Sequence, residues 1–280
     1  MAGESDLADS ARTWGTQFAH ATRLLAAAGS PNPEQEAAGL LAHLVGVPVA
    51  VLAARPGEAM RPADVQTYAT WIARRAGGVP VPYITGHLEF MGLDISISQG
   101  DPLIPQGTQR VVEAALQWAR HHTPGELAAA DMGTGCGAIA LALAVLEPRF
   151  TCIYAVDASP ETLATAHSNG ARYLLNLVIN WLDGRDLDVF PEPVDLVVCG
   201  QLERLSSGMD LLAHAPARLR PDGALICAVT DVQRPVATEA LLRGEPTTLI
   251  WTESAGGDEP AIVLAQFSRF SGNEAGNNPA

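Results

Sequence analysis

Apolar residues recur at helical spacing through the first 75 residues of the chain. Leu7, Phe18 and Leu25 fall on one face of a predicted helix spanning residues 7 to 28. Two further helices are predicted, one beginning after Asn32 and one running from about Pro62. These three helices predict a small helical domain at residues 1–76. Alone, a domain of that size would be marginally stable.

From residue 127 onward, short apolar runs alternate with helical segments. The runs predicted as strands are 127–130, 151–156, 174–179, 194–199, 224–230, 247–252 and 261–267, the last two forming a hairpin. This order predicts an α/β fold, a doubly wound sheet with an antiparallel edge. Ligands of such sheets bind at the carboxyl ends of the strands. We therefore expect a linker and β-hairpin at 77–105, a ligand-binding domain at 106–270 and a disordered tail at 271–280.

A glycine-rich turn follows the first of these strands. Gly133, Gly135 and Gly137 lie between the apolar run 127–130 and a helix of strong formers, and Thr134 lies among them. Glycine tolerates positive φ and lets a ligand approach the backbone closely, and the helix start presents unpaired N–H groups. A nucleotide-binding turn is therefore predicted.

Two carboxylates indicate what this turn binds. Asp157 ends the next strand, about twenty residues past the turn, where an acid reaches ribose hydroxyls. Asp131 precedes the first glycine by two residues and could face the cationic end of S-adenosylmethionine, which suits an acid better than a pyrophosphate does. A dinucleotide also fits the pattern Gly133-x-Gly135-x-x-Ala138, so a hydride-transferring cofactor stays open.

Composition narrows the class of partner. The chain has 280 residues, a formal net charge of −14 and a pI near 4.8, which argues against non-specific nucleic-acid binding. Its four cysteines are widely spaced and predict reduced core thiols in a cytoplasmic protein, and the histidines show no metal-ligand spacing. The longest apolar stretch is too short to span a membrane. We expect a monomer without a metal.

Three motifs in order then give the chain a resemblance to a known family. The segment from Arg74 to Leu93, the triplet Leu103-Ile104-Pro105 and the turn at 131–142 resemble the signatures of the HemK/PrmC family, the release-factor glutamine N5-methyltransferases. The likeness covers about residues 30 to 270. It implies a class I methyltransferase Rossmann-like domain, S-adenosyl-L-methionine as cofactor and a release factor or another protein as substrate. It also places Asp183 near the adenine.

The chain departs from that family where the substrate amide would be held. After the strand at 194–199, the family has Asn-Pro-Pro-Tyr, whereas this sequence has Gly200, Gln201, Leu202 and Glu203. Gly200 has no side chain to accept a hydrogen bond, and lost orientation can cost about a hundredfold in rate. Gln201 could supply an amide one residue later, and Glu203 could orient an amine.

Two functions follow from these residues. One is an S-adenosylmethionine-dependent methyltransferase acting on a protein, favoured by the intact glycine turn. The other is a non-catalytic cofactor-binding or protein-interaction paralogue, favoured by the replaced motif. A nicotinamide-dependent reductase would need a Tyr-Lys or similar pair, and the chain after residue 157 has one tyrosine and no lysine.

Overall fold

The computed structural model describes residues 12–105, 107–122, 124–205, 208–244, 246, 248–252 and 260–267. The chain divides into two compact units, residues 1–88 and 89–280. That boundary falls inside the predicted linker-and-hairpin segment of 77–105. The predicted disordered tail at 271–280 lies outside the described residues.

The described part of the N-terminal unit is helical, as predicted. Its helices are α1 (Trp14–Ala27), α2 (Pro33–Val45), α3 (Val49–Ala54), α4 (Pro62–Ala76) and α5 (Val81–Thr85). The Thr13 side chain caps α1 by accepting from the Thr16 backbone N–H, and proline opens α2 and α4, where a missing N–H costs nothing. Apolar residues of all five helices form one core.

Two polar contacts hold α2 to α4. Arg75 donates two hydrogen bonds of 2.9 Å to the carboxylate of Glu36, which also accepts one from Ser30 at 2.7 Å. Burial raises the pKa of Glu36, but these hydrogen bonds outweigh it and leave the pKa below its ordinary value. The hydroxyl of Tyr68, itself buried, donates to the carbonyl of Ala37 at 2.9 Å. The unit therefore combines an apolar core with a bidentate ion pair.

The C-terminal unit contains a seven-stranded sheet with helices between its strands. Its elements are β2 (Leu93–Ser96), α6 (Thr108–His121), β3 (Leu127–Met132), α7 (Ala138–Leu146), β4 (Phe150–Asp157), α8 (Pro160–Arg172), β5 (Ile179–Asp183), β6 (Val194–Cys199), α9 (Gly208–Arg218), β7 (Leu219–Val229), α10 (Arg234–Leu242), β8 (Thr248–Trp251) and β9 (Ala261–Phe267). Strand β2 pairs with β1 (His87–Phe90), within which the unit boundary lies.

The sheet order is β5-β4-β3-β6-β7-β9-β8, which confirms the predicted fold class. Strands β5, β4, β3, β6 and β7 run parallel, and β9 and β8 add the antiparallel edge. Every residue of β3 and β6 is buried, as expected of central strands covered on both faces. The order reverses between β3 and β6, so ligands are expected at the carboxyl ends of these strands.

Two predicted boundaries and one predicted conformation were wrong. The strand expected at 174–179 lies instead at Ile179–Asp183, because residue 174 has φ of 58° and the carbonyl of Leu175 closes a turn by accepting two backbone N–H groups. Helix α1 begins at Trp14, and residues 7–11 of its predicted span lie outside the described residues. The proline-rich linker was expected to be extended, but its prolines open the short helix α5.

The described residues contain no helix that combines the length and the apolar character needed to cross a bilayer. In the same part of the chain, no group of three or more His, Cys, Asp or Glu side chains is arranged to hold a metal ion. Cys136, Cys199 and Cys227 lie in the core, as predicted, whereas Cys152 is half-buried. Burial raises the pKa of both Cys136 and Cys199 to about 12. These thiols are therefore protonated core groups rather than nucleophiles.

Candidate active site

The predicted glycine turn joins β3 to α7 in a conformation that only glycine adopts without strain. Gly133, Gly135 and Gly137 have φ of 72°, 56° and 87°. The backbone N–H groups of Gly133 and Thr134 both donate to the carbonyl of Val156 at 2.9 Å, which fixes the turn to the end of β4. The turn is thus anchored to the neighbouring strand, and the backbone of 135–137 leads into α7.

Asp131 lies at the end of β3 and is fully buried beneath the turn. Its Oδ2 accepts hydrogen bonds from the Thr134 hydroxyl at 2.7 Å and from the Ala140 backbone N–H at 3.1 Å, so it caps the first turn of α7. Its Oδ1 is buried and has no hydrogen-bond partner within the described structure. Burial raises the pKa of Asp131 to about 7, with the two hydrogen bonds opposing that rise and the charge of Asp157 adding to it.

Asp157 and Asp183 end the two neighbouring strands. Asp157 Oδ2 accepts the backbone N–H of Gly135 at 3.0 Å, and its Oδ1 accepts that of Ser159 at 3.0 Å. Asp183 is the register partner of Asp157 on β5 and is exposed. The fold therefore brings the predicted residues 131, 133–137, 157 and 183 to one edge of the sheet. Each oxygen of Asp157 keeps a second lone pair for hydroxyl donors.

Two residues that the sequence analysis missed support the turn, the buried Asn169 and the half-buried Trp181. Asn169, on α8, is fully buried, accepts from the backbone N–H of Ser96 at 2.9 Å and donates to the carbonyls of Ser96 and Cys136 at 2.9 and 3.0 Å. The ring of Trp181 packs so closely that a methyl group at Gly137 would lie 3.1 Å from its Cη2. In the sequence, only the position of Asn169 on the apolar face of the predicted helix could have indicated that this polar side chain has buried partners.

The residues after β6 are the second set of predicted site residues. At Gly200, a side-chain Cβ would lie 3.1 Å from Ile139 Cδ1 and 3.4 Å from Thr108 Oγ1. The side-chain amide of Gln201 donates to the carboxylate of Glu203. Gln201 is half-buried and Glu203 is exposed. The structure thus brings the predicted positions 200, 201 and 203 to the carboxyl end of β6, the same edge that carries the glycine turn.

Leu202, the remaining position of the replaced motif, packs into the core with 1% exposure. It also borders a cavity of about 170 Å³ just beyond the end of β6. The lining residues are Leu202, Glu203, Leu205, Gly208, Met209, Asp210 and Gln233. Leu205 reaches back from this segment, and its Cδ2 would lie 2.7 Å from a Cβ at Gly133. The segment after β6 therefore packs directly on the glycine turn.

Comparison with known proteins matches both units to families. The model of the PrmC N-terminal domain matches residues 17–86, and that of a methyltransferase domain matches residues 129–223. The chain is 34% identical over 226 residues to the release factor glutamine methyltransferase of Deinococcus radiodurans, an alignment that covers 79% of this chain and 78% of that protein. It belongs to the HemK/PrmC family of S-adenosylmethionine-dependent methyltransferases.

Other similar proteins align over shorter parts. The release factor glutamine methyltransferase of Moorella thermoacetica is 40% identical over 59% of this chain, an alignment that spans 57% of that relative. Among solved structures, the ribosomal protein L11 methylase of Lactobacillus delbrueckii subsp. bulgaricus has a TM-score of 0.49 at 21% identity. The alignment covers 64% of this chain and 98% of the methylase chain. Membership of the HemK/PrmC family confirms the resemblance found in the sequence and favours S-adenosylmethionine over a dinucleotide.

Proposed function

We propose that this chain transfers the methyl group of S-adenosylmethionine to a side-chain nitrogen of a protein, with a peptide chain release factor as the substrate. The proposal is supported by its relatives, which are named release factor glutamine methyltransferases. The observation that carries the cofactor part of the proposal is the unpartnered Oδ1 of Asp131 beside a glycine turn that leads into a helix. A monomeric, cytoplasmic protein remains our prediction.

The residues at this edge fit the cofactor in two respects. The buried carboxylate oxygen of Asp131 that has no partner would be stabilised by a cationic group. S-adenosylmethionine carries two such groups, its α-ammonium and its sulfonium. Asp157 lies beside the turn with lone pairs free for the ribose hydroxyls. Asp183 pairs with it on the next strand, a position that would let it approach the adenine. A pyrophosphate, by contrast, would face the buried carboxylate of Asp131 and be repelled.

Methyl transfer requires the protein mainly to position the two reacting groups and to shield them from water. When bound, S-adenosylmethionine supplies an electrophilic methyl carbon on a sulfonium. The chain must hold the accepting nitrogen in line with that carbon and keep its lone pair turned towards it. In this fold, the turn after β3 and the segment after β6 lie side by side, so a donor and an acceptor held by them would meet at one edge of the sheet.

The test is methyl transfer to a bacterial release factor. The purified chain would be mixed with methyl-labelled S-adenosylmethionine and the factor, and the label located by mass spectrometry, with S-adenosylhomocysteine as competitor. We expect label on a single side chain of the factor and loss of label with the competitor. A protein that binds the cofactor but leaves the factor unlabelled would contradict the proposal and favour a non-catalytic paralogue.

A further inference from the structure

The hydroxyl of Thr108 is buried and unpaired. Thr108 is the first residue of α6 and is 2% exposed, and its Oγ1 has no hydrogen-bond partner in the described structure. Threonines elsewhere in the helices, such as Thr67, Thr70 and Thr238, donate to the carbonyl four residues earlier at 2.7 to 3.0 Å. Thr108 starts its helix and has no helical carbonyl at that distance. Buried polar groups without a partner are rare, so each calls for an explanation, of which a role in the site is one.

This hydroxyl lies at the junction between the two sets of predicted site residues. It would be 3.4 Å from a Cβ at Gly200, and Cδ1 of Ile139, in the first turn of α7, would be 3.1 Å from the same Cβ. Asp131 and Val198 are register partners on β3 and β6, so the glycine turn and Gly200 follow neighbouring strands at the same edge. Thr108 Oγ1 is therefore a side-chain polar atom next to the residue that lacks a side chain of its own.

We propose that Thr108 Oγ1 accepts a hydrogen bond from the methyl-accepting nitrogen of the substrate, and so supplies the acceptor that Gly200 does not. This inference rests on the proposed function. The cationic part of the cofactor already has Asp131, which leaves the hydroxyl at the β6 end for the substrate. In the transfer, the new N–C bond forms as the S–C bond breaks, the sulfonium becomes a neutral thioether and the nitrogen's proton leaves to water. The hydroxyl orients the nitrogen and takes no proton.

Three variants test this assignment. Thr108→Val removes the hydroxyl and keeps the shape, Thr108→Ser keeps the hydroxyl, and Thr22→Val removes the hydroxyl of Thr22, whose oxygen is also buried and unpaired but lies in α1 of the N-terminal unit. For each, the melting temperature, the Kd for S-adenosylmethionine, and kcat and KM with the release factor would be measured. The control separates removal of a buried hydroxyl from removal of this hydroxyl.

We expect Thr108→Val to raise the melting temperature by about 2–4 °C, because the unpaired hydroxyl is gone. Its Kd for S-adenosylmethionine should stay within about twofold, whereas kcat/KM should fall about tenfold or more, the effect of one lost hydrogen bond and poorer orientation. Thr108→Ser should keep most of the activity. Thr22→Val should gain stability and transfer at the rate of the unchanged protein.

Several results would overturn the assignment. Wild-type turnover in Thr108→Val would show that the hydroxyl does not hold the acceptor. Equal losses in cofactor affinity and turnover would assign it to the cofactor, and a lower melting temperature without rescue in Thr108→Ser would make it structural. If the unchanged protein binds the cofactor but labels no release factor, the proposed function fails and the inference with it. A wild-type rate in Thr108→Val fails the inference alone.

Discussion

The carboxyl group of Asp131 is expected to destabilise the ligand-free protein at neutral and alkaline pH. Burial raises its pKa from 3.8 to about 7 even though two hydrogen bonds oppose the rise. At about 1.4 kcal/mol per pKa unit, ionising Asp131 in the folded protein costs about 4 kcal/mol more than in the unfolded chain. The folded state keeps a proton between pH 4 and 7 that the unfolded state releases, so the free energy of unfolding falls across that range as pH rises.

Asp131→Asn isolates this effect because the amide oxygen can still accept from Thr134 and Ala140 while the group no longer ionises. Above pH 7, we expect the variant to be more stable than the unchanged protein by up to about 4 kcal/mol, with the difference shrinking towards zero near pH 4. Urea unfolding of both proteins between pH 4.5 and 8.5 measures this. A difference that does not vary with pH, or that grows as pH falls, would refute the reasoning.

With S-adenosylmethionine bound, the unchanged protein should be more stable than Asp131→Asn. A cationic ligand beside Asp131 stabilises the ionised form and lowers its pKa, so binding near pH 6.5 should release up to one proton. The heat of S-adenosylmethionine binding would then depend on the ionisation enthalpy of the buffer, and Asp131→Asn should lose both this dependence and affinity. A binding heat that is the same in all buffers at pH 6.5 would remove Asp131 from the cofactor site.

Three further substitutions test the site. Asp157→Ala should weaken S-adenosylmethionine binding by about 2–3 kcal/mol in titration calorimetry, since it removes an ionised acceptor, and unchanged affinity would exclude it. Asn169→Leu should lower the free energy of unfolding by about 2–4 kcal/mol, because it breaks the three hydrogen bonds of a buried side-chain amide. The exposed Asn180→Ala should change it by about 0.5 kcal/mol or less. Gly137→Ala should lower the free energy of unfolding by about 1–3 kcal/mol, because residue 137 has a positive φ and the Trp181 indole lies close to it. Gly39→Ala, in a helix with open space around it, should raise the free energy of unfolding. Equal effects of the two substitutions in urea unfolding would contradict this.

The cofactor half of the site could be predicted because its signals are local. A buried strand, glycines that need positive φ, and a carboxylate ending the next strand occur in a fixed order along the chain, and parallel pairing then brings Asp131, Asp157 and Asp183 to one edge. The alternation of strands and helices likewise specified the sheet, with its antiparallel edge. These features depend on neighbours in sequence and on backbone geometry.

The rest depends on contacts between distant residues. Nothing near Asn169 shows that it will bond Ser96, 73 residues earlier, and nothing near Thr108 shows that it will lie beside Gly200. The misplaced third strand has the same origin, because the apolar run from Leu174 could be a strand or a turn. Pairing with β4 favours residues 179–183.

The central claim is that the turn after β3 binds S-adenosylmethionine, and titration calorimetry of the purified protein tests it most directly. The titration would be run at pH 8 with S-adenosylmethionine and, as control, with NAD. We predict binding in the micromolar range for S-adenosylmethionine, weakened by Asp157→Ala, and no binding of NAD. Absence of S-adenosylmethionine binding, or preference for NAD, would contradict the account.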